Sequence, residues 1–259
     1  MILLIQALLV GTALAFQKWG NWFGSLGFDR PILAGALMGL LLGSLRTGII
    51  VGAALELVYL GSVTLGGTIA FDIGMGTVMS TAFAILGPLP LGVTVLLSFP
   101  VSLLGAVVYP VFKKWSTSLV PRFQDELKAH QIQAFNRLWH RQWLAYLGFW
   151  FLVGTGLTLL GAPLCRLLVP VLPAPLVHIL AVGAGMLPAM GIAAMLISLW
   201  NSELIPWFFL GFALVAFFKG SMIEVAFIAS VIAALMAGNA WHHRQPPKAK
   251  SVEDDFLDD

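Results

Sequence analysis

Residues 31–86 read PILAGALMGLLLGSLRTGIIVGAALELVYLGSVTLGGTIAFDIGMGTVMSTAFAIL. They are almost wholly apolar, yet they carry Arg46, Glu56 and Asp72, with glycines at 35, 39, 43, 48 and 52. A charge at the centre of a bilayer costs at least about 2.5–3.5 kcal/mol on insertion scales, so such groups face a polar cavity or a partner. Glycines four apart lie on one helix face and let two backbones approach closely. Gly48, Gly52 and Glu56 share such a face, because a step of four residues turns a helix by slightly more than one revolution. The carboxylate therefore belongs to the close-packed side, away from lipid. The Gly- and Thr-rich break GSVTLGGTIAFD (61–72) follows, closed by Asp72. A helix, an irregular polar segment and a second apolar helix is how membrane transporters build a site near the midplane. The segments 31–45 and 47–61 fall short of the roughly 20 residues of a full span. They read either as two abbreviated or re-entrant helices with Arg46 at the turn, or as longer, tilted helices.

Composition sets the class. The chain of 259 residues is 59% hydrophobic and 10% charged, with a mean hydropathy of +0.93, against about 25% charged residues in soluble domains. That excludes a soluble globular fold and predicts an all-α integral membrane protein, a polytopic helical bundle. The single cysteine, Cys165, rules out a disulfide framework within the chain. Histidines at 130, 140, 178, 242 and 243 lack metal-ligand spacing apart from the adjacent pair near the end, so no metal and no cofactor is expected. There is no Gly-rich loop of the P-loop type. No Ser/His/Asp set stands out, and no segment is long enough to fold as a separate phosphoryl-carrying domain. The chain reads as one that moves a solute rather than one that transforms it.

Outward from the central hairpin, ILLIQALLVGTALAF (2–16) reads as a retained first membrane segment, since no basic region precedes Ile2. Gln6 within it is either bonded to a neighbouring helix or a partner for a ligand hydroxyl. KWGNWFGSLGFDR (18–30) reads as an amphipathic connector with Trp19 and Trp22 at the membrane boundary. Segments 73–86 and 91–112 are apolar and separated by the turn GPLP (87–90). Residues 113–142 hold Lys113, Lys114, Arg122, Lys128, Arg137 and Arg141 against Asp125 and Glu126, which predicts a cytoplasmic loop. Its second half, with Ile132, Phe135, Leu138 and Trp139, reads as an amphipathic helix at the membrane surface and also suits docking of a cytoplasmic partner. Further spans are expected at 143–160, 176–200, 204–218 and 222–240, with 161–175 as a Pro-rich bent connector. Residues 1–241 then form one polytopic membrane domain, and 242–259 a polar, disordered tail.

The run GLLLGSLRTGIIVGAALELVYLGSV (39–63), followed by GGTIAFD (66–72), resembles the IIC membrane component of the mannose/sorbose family of the bacterial phosphotransferase system. Gly39, Gly43, Gly48, Ile49, Ile50, Gly52, Leu55 and Glu56 match the family signature. Ser44 replaces its Asp/Asn/His, Ala53 replaces its second glycine, and Ala54 stands at a small position. The resemblance extends from Gln6 to the GAGMLPAMGIAAML run (183–196). It implies a multi-pass protein of the bacterial inner membrane that forms a sugar path with a IID membrane partner. It implies delivery of sugar to a phosphorylated cytoplasmic IIB, itself charged by IIA, and a trimer of IIC–IID pairs. The phosphoryl-carrying residues would then lie on the partner proteins, making this a non-catalytic subunit.

Sugars need bidentate acceptors and amide donors, with apolar surface to cover the ring. Gln6, Glu56, Thr64, Thr68 and Asp72 are the candidate substrate-binding residues, and Phe71 the candidate ring cover. Glu56 has the alternative of a structural bond to a backbone amide or to Arg46. Asp72 has the alternative of an ordinary helix N-cap. Two other classes stay open: a proton-coupled secondary transporter using Glu56 or Asp72, and a membrane scaffold subunit.

Overall fold

The computed structural model describes residues 1–20, 27–62, 71–202 and 204–243, with side chains described as far as 238. Among these residues every regular element is helical. The helices are α1 (Ile2–Gly20), α2 (Pro31–Leu41), α3 (Leu45–Tyr59), α4 (Ile73–Leu86), α5 (Leu91–Thr117), α6 (Val120–Lys128), α7 (Ile132–Leu168), α8 (Ala174–Leu199), α9 (Ile205–Ala216) and α10 (Met222–His243). The chain divides into two compact units, Met1–Ser198 and Leu199–Asp259.

In the first unit α4 is the centre. It packs against α1, α2, α3, α5 and α7. Of its 14 residues, only Ile73 and Ile85 are not fully buried. A helix of that length reaches about 21 Å, short of the roughly 30 Å hydrocarbon layer, so α4 is held inside protein rather than spanning lipid. Its apolar side joins Met75, Val78, Met79 and Phe83 to Val10 and Leu14 of α1, Met38 of α2 and Trp150 of α7 in one core. Its small residues let α5 come close: a side chain at Gly76 would meet Ser102 Cβ at 2.8 Å.

The hairpin of α2 and α3 is closed by the glycines that the sequence singles out. A Cβ at Gly35 would sit 2.6 Å from the Gly48 carbonyl oxygen and 2.7 Å from Gly52 Cα, and one at Gly39 2.8 Å from Gly48 Cα. Both helices are short, at 11 and 15 residues, as the abbreviated-helix reading requires. The turn falls at 42–44 rather than at Arg46, because Gly43 alone there takes a positive φ, +75°. Arg46 lies in the first turn of α3 and is exposed.

Three further expectations are corrected. Residues 161–175 are not a bent connector: α7 continues through Pro163 to Leu168, and a short 3-10 turn at Val169–Val171 leads into α8. A membrane helix tolerates an internal proline when neighbours secure it, and around Pro163 α4 holds α7, with Gly161 against Phe83, Cys165 against Gly87 and Arg166 on the Leu86 carbonyl. The stretch 132–142 is the opening of α7 itself rather than a separate surface helix, while α6 is the short helix of that region. Lys18 belongs to α1 and is buried, not part of a connector. The break residues 63–70, with Thr64 and Thr68, and most of the tail (244–259) lie outside the described residues, as does Trp22.

In the second unit α9 and α10 form a hairpin. Its turn sets Lys219 at φ +55° and is closed by a capping box. The Ser221 amide donates to Glu224 Oε2 at 2.8 Å, and the Glu224 amide to Ser221 Oγ at 3.3 Å.

Gly48→Val is expected to lower the midpoint of thermal unfolding in detergent, by overpacking worth about 1–3 kcal/mol. Gly156→Ala, where a Cβ meets nothing within 4 Å, is the neutral control.

Candidate functional site

The ends of α4 carry the polar chemistry. Burial of a helix leaves its first amides and last carbonyls without water, so they must find partners. At the N-terminus Asp72 is the cap: its Oδ1 accepts from the Met75 amide at 3.0 Å, and its own amide donates to the Ser102 carbonyl at 2.9 Å. The carboxylate is 3% exposed, and both of its oxygens accept from Lys18 Nζ, which α1 brings from 54 residues earlier. Lys18 Nζ also lies 4.5 Å from the ring centroid of the fully buried Trp150. A negative charge at a helix N-terminus is favoured by the macrodipole, and the lysine and the indole face stabilise the ion pair away from water. At the opposite end, Arg166 Nε of α7 donates to the Leu86 carbonyl at 2.7 Å, and the Gly87 amide to Phe83 at 2.8 Å. Gln17 is 1% exposed, packs on Gly74 in the first turn of α4, and has neither amide atom paired among the described residues.

Beside this end lies a polar and aromatic wall. The Tyr59 hydroxyl sits 2.9 Å from Ser98 Oγ and 3.2 Å from Ser102 Oγ, one turn apart on α5. Phe99 stands 5.6 Å from the Tyr59 ring and 6.2 Å, edge-on, from Phe71. Tyr59, Gly61, Ser62, Phe71 and Phe99 face Leu187, Met190 and Gly191 of α8 across a cavity of about 410 Å³. Ser62 and Phe71, near the two ends of the 61–72 stretch in sequence, both line it. Apolar rings with a few hydroxyls suit a small polyhydroxylated ligand. Among the described residues no three His, Cys, Asp or Glu side chains gather to hold a metal ion.

The candidate residues named from sequence do not all converge. Asp72 is the buried cap and ion-pair partner. Glu56 is half-buried: its Oε2 accepts from the Ile32 amide at 3.2 Å, and its Oε1 from Arg30 Nη1 at 3.3 Å, so its partners are α2's first turn and Arg30 rather than Arg46. Gln6 is half-buried on α1, about 18 Å along the helix from Lys18 at 1.5 Å per residue. Phe71 does line the cavity. Sequence reasoning missed Lys18, Tyr59, Ser98 and Ser102. The hydroxyls at 98 and 102 follow the helical i, i+4 rule, and a lysine closing an apolar run of helix length was the one signal for Lys18.

Relatives define the class of this arrangement. The model of the sorbose-specific IIC component of the phosphotransferase system matches residues 4–235, and the chain belongs to that family of sugar-specific IIC membrane components. It is a multi-pass protein of the bacterial inner membrane. The N-acetylgalactosamine permease IIC component 1 of Escherichia coli (strain K12) is 27% identical over 260 residues, covering 98% of this chain and 97% of the relative. The mannose-specific EIIC component of the same organism is 25% identical over 239 residues, covering 89% and 87%. The fold is shared with a solved membrane protein at a TM-score of 0.78 and 24% identity, covering 90% of this chain and 95% of that one. It is also shared with a chain of the mannose transporter ManYZ bound to microcin E492, at 0.56 and 22%, covering 95% and 98%.

Asp72→Asn is expected to destabilise the protein by roughly 3–5 kcal/mol, because it strands a buried ammonium, although Asn still caps α4. Lys18→Met combined with Asp72→Asn should recover most of that loss. A double-mutant cycle on thermal unfolding reads the coupling.

Proposed function

We propose that this chain is the IIC subunit of a phosphoenolpyruvate-dependent sugar phosphotransferase system, forming the sugar path with a IID membrane partner and handing sugar to a phosphorylated cytoplasmic IIB. The observation that carries the reading is the cavity with Tyr59, Ser62, Phe71 and Phe99 in its wall, which joins the end of α3 to the residue before Asp72. Family membership supports it, and the relatives' names give mannose, fructose, sorbose and N-acetylgalactosamine as the substrates of those proteins. IIA and IIB supply the phosphoryl group, and the working assembly is a trimer of IIC–IID pairs.

Sugar hydroxyls are assigned to Glu56, Thr64, Thr68 and Asp72, with Phe71 against the ring, while Gln6, about 18 Å along α1 from Lys18, is left to a bond with a neighbouring helix. A carboxylate has about four lone-pair sites. Lys18 and the Met75 amide occupy three on Asp72, which leaves one for a hydroxyl. Glu56 lies one turn before Tyr59 on α3. In a water-poor site these charge-assisted bonds are stronger than neutral ones.

Uptake tests the reading. In cells with no other route for the sugar, uptake is expected to require phosphoenolpyruvate, the IID protein and a phosphorylatable IIB, and to yield sugar phosphate. Persistence of uptake without these components, with loss when the proton gradient is collapsed, would favour the proton-coupled alternative. Glu56→Gln keeps an oxygen for the Ile32 amide, so it should insert normally while uptake falls about tenfold, the loss of one charge-assisted bond. Normal uptake by that variant would make Glu56 a structural cap only.

A further inference from the structure

We infer that the groove between α6 and the start of α7 receives residues 253–259, EDDFLDD, of a neighbouring copy of this chain. Phe256 and Leu257 fill the groove, and the flanking carboxylates meet Lys113 and Lys128. The inference rests on the multi-copy assembly proposed above. The hairpin that carries the groove stands in water. Phe112 closes the apolar run of α5 before Lys113 and Lys114, and the apolar part of α7 opens at Trp143. These two ends are level: the Phe112 and Tyr146 rings lie 5.1 Å apart, and Gln142 donates to Ser116 Oγ. From Trp143 back to Phe135, α7 runs about 12 Å further at 1.5 Å per residue. The excess of basic residues over 113–142 puts that extension on the cytoplasmic side.

Val120, Phe123, Leu127, Phe135 and Trp139 line the groove, whose volume is about 370 Å³. Leu127 is 66% exposed and Val120 and Trp139 each 45%, a concentration of apolar surface that water does not suit. Lys113 lies one turn before Thr117 on α5, and Lys128 one turn after Gln124 on α6. Thr117 and Gln124 both line the groove, so each lysine continues a lining face, at opposite ends. Both lysines are exposed, and among the described residues neither has a carboxylate within 4.0 Å. The segment 253–259 is the complement of this surface: five carboxylates, no basic residue, and one apolar pair between them. Extended, it spans about 23 Å at 3.3 Å per residue. The α5 turn from Lys113 to Thr117 and the length of α6 together extend about 20 Å. Residues 244–252 separate the segment from α10. They reach about 30 Å when extended, some three interhelical spacings of 8–10 Å. Arg244, Lys248 and Lys250 place them on the cytoplasmic side by the rule that places the hairpin there. In an assembly of several copies, such a tethered segment meets a neighbour's groove at high effective concentration.

The test uses the chain with its IID partner in nanodiscs, and a labelled peptide of residues 251–259. A chain ended after Val252 should bind the peptide. The full chain, its grooves already occupied, should bind it several-fold more weakly. Phe256→Ala with Leu257→Ala in the peptide should weaken binding at least about tenfold. Lys113→Gln and Lys128→Gln in the chain should each weaken it about threefold at low salt and less at high salt. Arg46→Gln, on exposed α3, should leave it unchanged. Cross-linking in a Cys165→Ala background reads the neighbour. Coexpressed Gln124→Cys and Val252→Cys chains should form a disulfide dimer that neither forms alone. Absent peptide binding, binding indifferent to Phe256 and Leu257, or equal binding to full and shortened chains would overturn the inference. Native mass spectrometry separates the remaining outcomes. Several copies in one particle without a mixed dimer would overturn the inference alone, and a single copy would overturn the proposed assembly with it.

Discussion

A helix too short to cross the membrane and buried in protein at both ends cannot leave those ends to water, and that constraint organises the first unit. The N-terminal end of α4 is capped by Asp72, whose charge is balanced by Lys18 from α1. The C-terminal end is met by Arg166 from α7. An anion at the start and a cation at the end both complement the helix dipole. Because Lys18, Trp150 and Arg166 come from α1 and α7, the two helices that pack along each other also fix α4 in depth and direction.

Close packing does the rest. The glycines of α2 and α3 bring two backbones into contact, and Glu56 then reaches the Ile32 amide in the first turn of α2. The same residue type serves α4, where Gly74 admits Gln17 and Gly76 admits Ser102. Small residues matter here because, within lipid, burying apolar surface gives helices no reason to associate, and dispersion and hydrogen bonds must supply it. The hydroxyls of Ser98 and Ser102 each bond a carbonyl of their own helix, at 2.6 and 2.9 Å, and still reach Tyr59, so the two buried serines behind the Tyr59 ring are both paired.

The long loop illustrates how local pattern and fold diverge. Its basic residues and amphipathic spacing were legible, and the α6–α7 hairpin does segregate apolar from charged side chains. That its second half continues without interruption into a 37-residue helix was not legible, because Pro163 and the charged residues each suggest an end. Propensity is local, and the packing of α4 against α7 around Pro163 overrides it.

The sequence by itself determined the class of the protein and its central device. Apolar composition requires a membrane bundle, and four-residue glycine spacing requires close helix contact. An apolar–polar–apolar succession marks the break at 61–72, and the residues around it carry the family pattern. Asp72 was singled out as either a cap or a ligand, and its capping bond is present. Only the tertiary structure decided its partner. Lys18 stands 54 residues away, after an apolar run and before Gly20, where sequence reads a boundary rather than a buried charge. An ion pair between distant helices depends on which faces meet, and that follows from the summed packing of α1, α4 and α7 rather than from the residues near either charge.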